Sequence, residues 1–261
     1  MTGKAGCSAC RDGRDLPLAI TMAFQPIVDL SNRTVFAHEA LVRGRGGETA
    51  AQVLALIDAD RLYAFDQACR VTAIRQAAML GMPTVLSINF MPNAVYRPEH
   101  CLRSTLAAAE RAAWPLTRIL FEVTEQEKVV DAGHLLEILT TYRARGLLTA
   151  IDDFGAGHSG LNLLAEFQPD LVKLDMDLVR GIDRDRPRRV IVDHAARMCT
   201  DLGIRIVAEG VETAAEHRAL LDLGIVLQQG YLFARPLVEG LPPVAWPAPG
   251  GAPERVDASI A

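Results

Sequence analysis

Met22-Ala-Phe-Gln-Pro-Ile-Val-Asp-Leu30, Ser31-Asn32-Arg33-Thr34, Val35-Phe-Ala-His-Glu-Ala-Leu41: two apolar runs joined by four polar residues decide the topology of this chain. Both runs read as β-strands. A parallel crossover needs a dozen or more residues, so strands joined by four must be antiparallel. Working outward, six more strand-like segments follow: Thr84–Asn89, Ile119–Thr124, Leu147–Asp152, Leu171–Leu174, Ile204–Glu209 and Val226–Gln229. From the third strand onward, helix-like stretches separate them. Asp131 and Gly146 bracket one helix, Pro187 and Gly203 another, and Thr213 with Glu216 opens a third that Gly224 closes. Strand and helix in alternation give a mainly parallel sheet. Eight strands in 261 residues point to closure. The expected fold class is α/β: a (β/α)8 TIM-like barrel with its first strand antiparallel to the others.

Residues 1–16 carry no period and read as a mobile leader. Residues 17–241 form the barrel. Residues 242–261, with five prolines, read as a disordered Pro/Gly-rich tail. Half the residues are apolar, enough for a large core, and the net charge of −5 argues against a protein that coats nucleic acid. No apolar run reaches the roughly 18–20 residues of a membrane span. Residues 1–14 lack the apolar stretch of a secretory signal. Cys7, Cys10, Cys69, Cys101 and Cys199 are odd in number and scattered, which fits a reducing, cytoplasmic setting rather than a disulfide framework.

From the second strand onward, each strand carries polar residues near its C-terminal end: Glu39, Asn89, Glu122, Asp152 with Asp153, Lys173, Glu209 and Gln229. Such groups are costly to bury unpartnered, and they recur at the end where barrel active sites lie. Alternation puts Val35, Ala37 and Glu39 on one face, and likewise Val85, Ser87 and Asn89. Glu39, Asn89, Glu122 and Asp152 are hard oxygen ligands without His or Cys beside them. That set suits Mg²⁺ or Mn²⁺ rather than Zn²⁺. Asp153 can help hold a second ion, and two ions are a common device for phosphodiester hydrolysis. Lys173 either orients the nucleophile or offsets developing negative charge. Taken singly, each residue reads as a solvated rim group, a cap or a loop start; seven strand ends with one feature do not.

At these residues the chain resembles the EAL-domain family of cyclic-di-GMP phosphodiesterases. Glu39-Ala40-Leu41 is the family's name motif, within QPIVDL (Gln25–Leu30) and HEALVR (His38–Arg43). SINF (Ser87–Phe90), FEVTE (Phe121–Glu125), DDFGAGHSGL (Asp152–Leu161), VKLD (Val172–Asp175), AEGVE (Ala208–Glu212) and QGYLFARP (Gln229–Pro236) follow in order. The resemblance implies hydrolysis of one phosphodiester bond of cyclic-di-GMP to linear pGpG. It implies Glu39, Asn89, Glu122 and Asp152 around a first metal, and Asp152, Asp153 and Glu209 around a second or its bridging water. Lys173 is implied beside the attacking water, and Gln25 and Arg43 at the substrate. Glu125 is implied as a brace for the loop after strand five, and Glu212 and Gln229 beside the metal cluster, within reach of substrate. It also implies a homodimer that pairs through that loop and the following helix. The pair Gly155 and Gly157 makes the loop pliable.

Ala156, His158 and Gly160 depart from the family's usual DDFGTGYSS, and a short glycine-rich stretch follows Arg43. The first bears on loop dynamics, the second on contacts at the substrate's edge. No GGDEF block or separate sensor domain is visible, so the chain reads as a stand-alone module or a piece of a larger protein with an unknown regulatory partner. Cys7 and Cys10 lack a second pair and read as free thiols. The Arg184–Arg189 run, interleaved with Asp185, reads as a solvated helix start. His158 reads as a loop residue. Two further function classes stay open: a non-catalytic cyclic-di-GMP receptor and a protein-interaction module. Both are expected to lack metal or lysine positions, and here all of them are filled.

Overall fold

The first hairpin forms as its short join demands. β1 (Ile20–Asp29) and β2 (Thr34–Gly44) run antiparallel, from Ile20 opposite Gly44 to Asp29 opposite Thr34. Both run past the expected limits toward Gly44, because the apolar pattern of β1 stays buried back to Ile20. Arg33 takes a left-handed backbone (φ 52°) in the turn. This computed structural model describes residues 16–95, 98–124, 132–157 and 160–247.

From β2 the chain winds as βα units. α1 (Ala50–Leu54) and α2 (Leu62–Met79) lead to β3 (Val85–Asn89); α3 (Pro98–Cys101) and α4 (Arg103–Arg111) lead to β4 (Ile119–Thr124). α5 (Ala132–Ala144) precedes β5 (Leu148–Phe154), and α6 (Gly160–Glu166) precedes β6 (Leu171–Leu174). α7 (Met176–Val179) and α8 (Arg186–Asp201) lead to β7 (Arg205–Ala208), and α9 (Ala214–Asp222) to β8 (Leu227–Gln228). Neighbouring strands from β2 to β8 are parallel, and β8 closes onto β1 antiparallel, Gln228 opposite Val28. The barrel of eight strands, with its first strand reversed, is the expected one. The helix punctuation is realised too. Asp185 caps α8, a Thr213–Glu216 capping box opens α9, and Gly146, Gly203 and Gly224 end helices at positive φ. Asp131 lies outside the described residues.

A ninth strand was not anticipated. β9 (Leu237–Val238) pairs with β1 at Phe24 and Ala23. β8 has only two residues, so most of that edge of β1 is open, and β9 takes part of it. Residues 242–247, assigned to the tail from sequence, lie against the barrel. Ala245 N donates to Phe233 O at 2.8 Å, and the Arg33 guanidinium sits 5.5 Å from the Trp246 ring centre. Two apolar bodies result. One lies between the helices and the sheet. The other fills the barrel: Ile27, Ala37, Leu120, Ala150, Leu171, Val207 and Leu227. Each large aliphatic group there contributes roughly 1.5–3 kcal/mol of burial, and together they form the floor under the mouth. No helix among the described residues is long and apolar enough to cross a membrane.

Candidate metal centre at the barrel mouth

Side chains two apart on a strand share a face. Two residues beyond the inner layer, on the same strands or one place past their ends, stand Glu39, Glu122, Asp152, Lys173, Glu209 and Gln229; on the reversed β1 the matching position is Gln25. Asn89 is set the same way by Ser87 on β3. The strand-end pattern in the sequence is thus one ring of polar groups above an apolar plug.

Lys173 is at the centre, fully buried. Its Nζ lies 2.7 Å from Glu209 Oε1, 3.0 Å from Glu122 Oε2, 3.0 Å from Asp152 Oδ1 and 3.5 Å from Glu39 Oε2. Burial disfavours its charge, but the carboxylates outweigh burial and hold the ammonium well above 10.5. The carboxylates are pushed the other way. Burial first, then mutual repulsion, raises Glu122 to about 8 and Glu209 well above 4.5. Asp153, half buried, rises to about 6, through burial and then the charges of Asp152 and Asp175.

Asp152 and Asp153 are neighbours, yet both serve the ring. In β5, Ile151 pairs with Val172 and Phe154 with Leu174, which leaves two residues opposite Lys173. This is a β-bulge, a device that re-aims side chains beside active sites. Asp153 has a left-handed backbone, φ 53°, and its N–H donates to Asp152 Oδ1 at 3.0 Å.

Two groups of oxygens can hold cations. Glu39, Glu122 and Asp152 offer atoms within 4.8 Å of one another, and so do Asp152, Asp153 and Glu209. Asp152 is common to both. Five carboxyls face one ammonium, an excess that suits divalent cations. Among the described residues Glu122 Oε1 is buried without a hydrogen-bond partner, a costly state for a carboxylate that a cation would relieve. Asn89 Nδ2 donates to Glu39 Oε1 at 3.0 Å, leaving its carbonyl oxygen as the atom able to ligate. The donor set fits Mg²⁺ or Mn²⁺ chemistry.

The outer residues divide. Gln229 Nε2 donates to Glu39 Oε2 at 2.8 Å and to Gln25 Oε1 at 3.3 Å, and Gln25 Nε2 donates to Ala234 O at 3.1 Å. That chain runs behind Glu39 and fixes its orientation. Arg43, at the end of β2, donates to Val42 O, and Glu212 lies 3.7 Å from Arg180. Neither has a hydrogen bond or ion pair with the carboxylate ring. Glu125 and His158 lie outside the described residues, as do Cys7 and Cys10. Asp175 had no role in the sequence reading. It caps α7, accepting from Asp177 N at 2.7 Å, and its charge reaches Asp153. Its position two residues after Lys173 was the available signal.

Residues 18–236 match the family model described as EAL domain. The Blue light- and temperature-regulated antirepressor BluF of Escherichia coli K12 is 32% identical over 226 residues, 86% of this chain and 56% of that protein. The Cyclic di-GMP phosphodiesterase RocR of Pseudomonas aeruginosa is 34% identical over 166 residues, 63% of this chain and 42% of that protein. The chain therefore spans about half the length of these curated relatives. A standalone versatile EAL protein from Vibrio cholerae O395, in its c-di-GMP bound form, superposes with TM-score 0.86 at 50% identity, covering 88% of this chain and 97% of that one. Klebsiella pneumoniae BlrP1, in a manganese/cy-diGMP complex, superposes with TM-score 0.82 at 37% identity, covering 86% and 58%.

Proposed function

This chain belongs to the EAL domain family, and from that premise we propose that it hydrolyses one phosphodiester bond of cyclic-di-GMP to linear pGpG. The observation that carries the proposal is the pair of oxygen groups sharing Asp152, closed below by the apolar plug and crossed by Lys173. A family member that only binds would not need this whole set.

Glu39, Asn89, Glu122 and Asp152 would hold one divalent ion, and Asp152, Asp153 and Glu209 another. Bound there, Mg²⁺ or Mn²⁺ supplies a Lewis acid and lowers the pKa of water at neutral pH. The remaining work falls to the chain. Lys173 keeps its charge at neutral pH, so it offsets negative charge growing on the phosphate and does not act as a base. Glu209, 2.7 Å from Lys173 and raised by burial, can exchange a proton with water at the mouth. Gln229 and Gln25 hold Glu39 in one orientation. Arg43 and Glu212, outside the ring, are assigned the substrate contacts that the resemblance implies. Glu125 is assigned the loop-bracing role that the resemblance implies.

The test is direct: pure protein, cyclic-di-GMP, Mg²⁺ or Mn²⁺, and chromatographic separation of products. Linear pGpG, absent when metal is chelated, is the expected result. An inert mixture with both metals present would transfer the chain to the receptor class. The protein-interaction class has its own support, since one relative of similar identity is named an antirepressor. We place the protein in the cytoplasm, consistent with Cys69, Cys101 and Cys199 as free thiols. It acts as a homodimer coupled through the loop after β5, under a regulatory partner or sensor domain.

A further inference from the structure

Behind the mouth, on the outer face of β3 and β4, lies a buried ion pair that the proposed reaction does not use. Asp66 and Arg70 are one turn apart on α2, and both side chains are almost wholly buried. Arg70 Nη2 is 2.6 Å from Asp66 Oδ2, and Arg70 Nη1 donates to the Tyr142 hydroxyl on α5 at 2.9 Å. Among the described residues Arg70 Nε has no hydrogen-bond partner. The guanidinium lies instead among three rings, 5.0 Å from the centre of Phe121, 5.6 Å from Phe90 and 5.8 Å from Tyr142.

Phe90 follows Asn89, and Phe121 precedes Glu122. Alternation turns these rings outward while Asn89 and Glu122 face the ring of carboxylates. Asp66 carries the second link. Its Oδ1 accepts from Met91 N at 3.0 Å, two residues after Asn89. The other oxygen, Oδ2, also accepts from Gln67 Nε2 at 3.3 Å. Phe90 N donates to Glu122 O at 3.0 Å, so the two strand ends are already tied together. One charged cluster therefore holds the backbone beyond Asn89 from behind.

A buried ion pair is a poor way to stabilise a fold, because an apolar replacement of similar volume often serves as well or better. It does fix geometry, through one hydrogen bond at one place. We propose that Asp66, neutralised in place by Arg70 and Tyr142, is a positioning residue for the metal centre: its bond to Met91 N clamps the chain after β3 and so sets Asn89 against Glu39 and Glu122. The inference rests on the proposed function for the role of Asn89, but not for the clamp's geometry.

Two double variants separate positioning from packing. Asp66→Asn/Arg70→Met removes the charge pair and keeps an acceptor for Met91 N. Asp66→Leu/Arg70→Met removes both. Mn²⁺ affinity by calorimetry, hydrogen exchange of the peptide spanning residues 85–95, and Tm are measured on the full chain. The Leu variant is expected to bind Mn²⁺ about 10–100-fold more weakly, the usual effect of losing a group that orients a ligand, and to exchange faster after β3. The Asn variant should stay within about threefold of the parent in affinity, as a rescue through the retained bond to Met91 N. Equal affinity in all three proteins, or equal losses in both variants, would overturn the clamp. If the Leu variant does not fold, Asp66→Ala/Arg70→Met replaces it. This variant also lacks an acceptor for Met91 N, and unchanged Mn²⁺ affinity there would overturn the clamp. Parent protein that binds Mn²⁺ but does not cleave cyclic-di-GMP refutes the functional reading alone. Parent protein that binds no Mn²⁺ refutes both.

Discussion

Lys173→Met tests the electrostatics of the mouth most directly. Methionine keeps much of the volume and removes the cation that four carboxylates share within 3.5 Å. Removing one partner of a buried pair costs about 3–5 kcal/mol, because the other charge is left uncompensated. For a domain of this size one kcal/mol moves Tm by about 2–4 °C. The metal-free variant should therefore melt roughly 6–20 °C below the parent at neutral pH. Divalent cations compete with the ammonium for the same oxygens. Hence the variant should bind Mn²⁺ at least as tightly as the parent, and Mn²⁺ should return much of the lost Tm. Turnover should still fall by about 100–1000-fold, the scale of losing one preorganised group that stabilises developing charge. Scanning calorimetry with chelator and with Mn²⁺, titration calorimetry and product chromatography measure the three quantities. A folded variant that no longer binds Mn²⁺ would make Lys173 a support for the ligands. Parent-like turnover would remove it from the reaction.

Glu39→Ala and Asp152→Asn each take a ligand from a set with no spare carboxylate, and turnover should drop at least about 100-fold; near-parent activity in either would show that the centre is misplaced. Stability without metal should fall between pH 6.5 and 8. His38, lowered from 6.5 to about 4 by burial, favours higher pH only below this window. Within it Glu122, raised to about 8, holds a proton that the unfolded chain has released, and Glu209 is raised in the same direction, so stability is lost at up to about 1.4 kcal/mol per pH unit per proton. A Tm that rises across this window in chelator, or a fall that Mn²⁺ does not flatten, would contradict the assignment. The proposed dimer predicts a light-scattering mass of two chains and a specific activity that falls on dilution; a one-chain mass with undiminished activity excludes the coupling.

The sequence made the ring legible because a strand has period two, and most mouth residues follow an apolar one by two places. Ala37 and Glu39, Leu120 and Glu122, Leu171 and Lys173 are written in the chain as they stand in the barrel. The reversed first strand was legible for a cruder reason, the length of Ser31–Thr34. Arg70 was not. A basic residue on a helix four places from an acidic one reads as a solvated i,i+4 pair, and nothing local says that this face of α2 lies under α5. β9 was hidden similarly. Leu237 and Val238 are exposed, and they pair only because β8 stops short. Gln25 and Gln229 were read as substrate contacts, but sequence could not place them behind Glu39, because that depends on which strand closes the barrel next to β1.

Two successive carboxylates at one metal centre conflict with the alternation that builds the rest of the ring. A regular strand would send Asp152 into the mouth and Asp153 outward into the helix layer, where an unpaired carboxylate is expensive. Reversing the register would exchange the two. The bulge opposite Lys173 removes the conflict by giving one residue on β6 two partners on β5. Its cost is local and visible in Asp153, at φ 53°, a conformation that Asp enters more readily than most residues other than glycine. Strain of this kind runs to about 1–3 kcal/mol, and the left-handed Gly155 shortly after it is the residue type that carries such a turn at least cost. The kink directly precedes the loop proposed to meet a second subunit. Any partner that shifts this loop therefore acts on Asp153 first and on Asp152 through the 3.0 Å bond between them, before it can reach Glu39 or Glu122 on strands fixed by their neighbours.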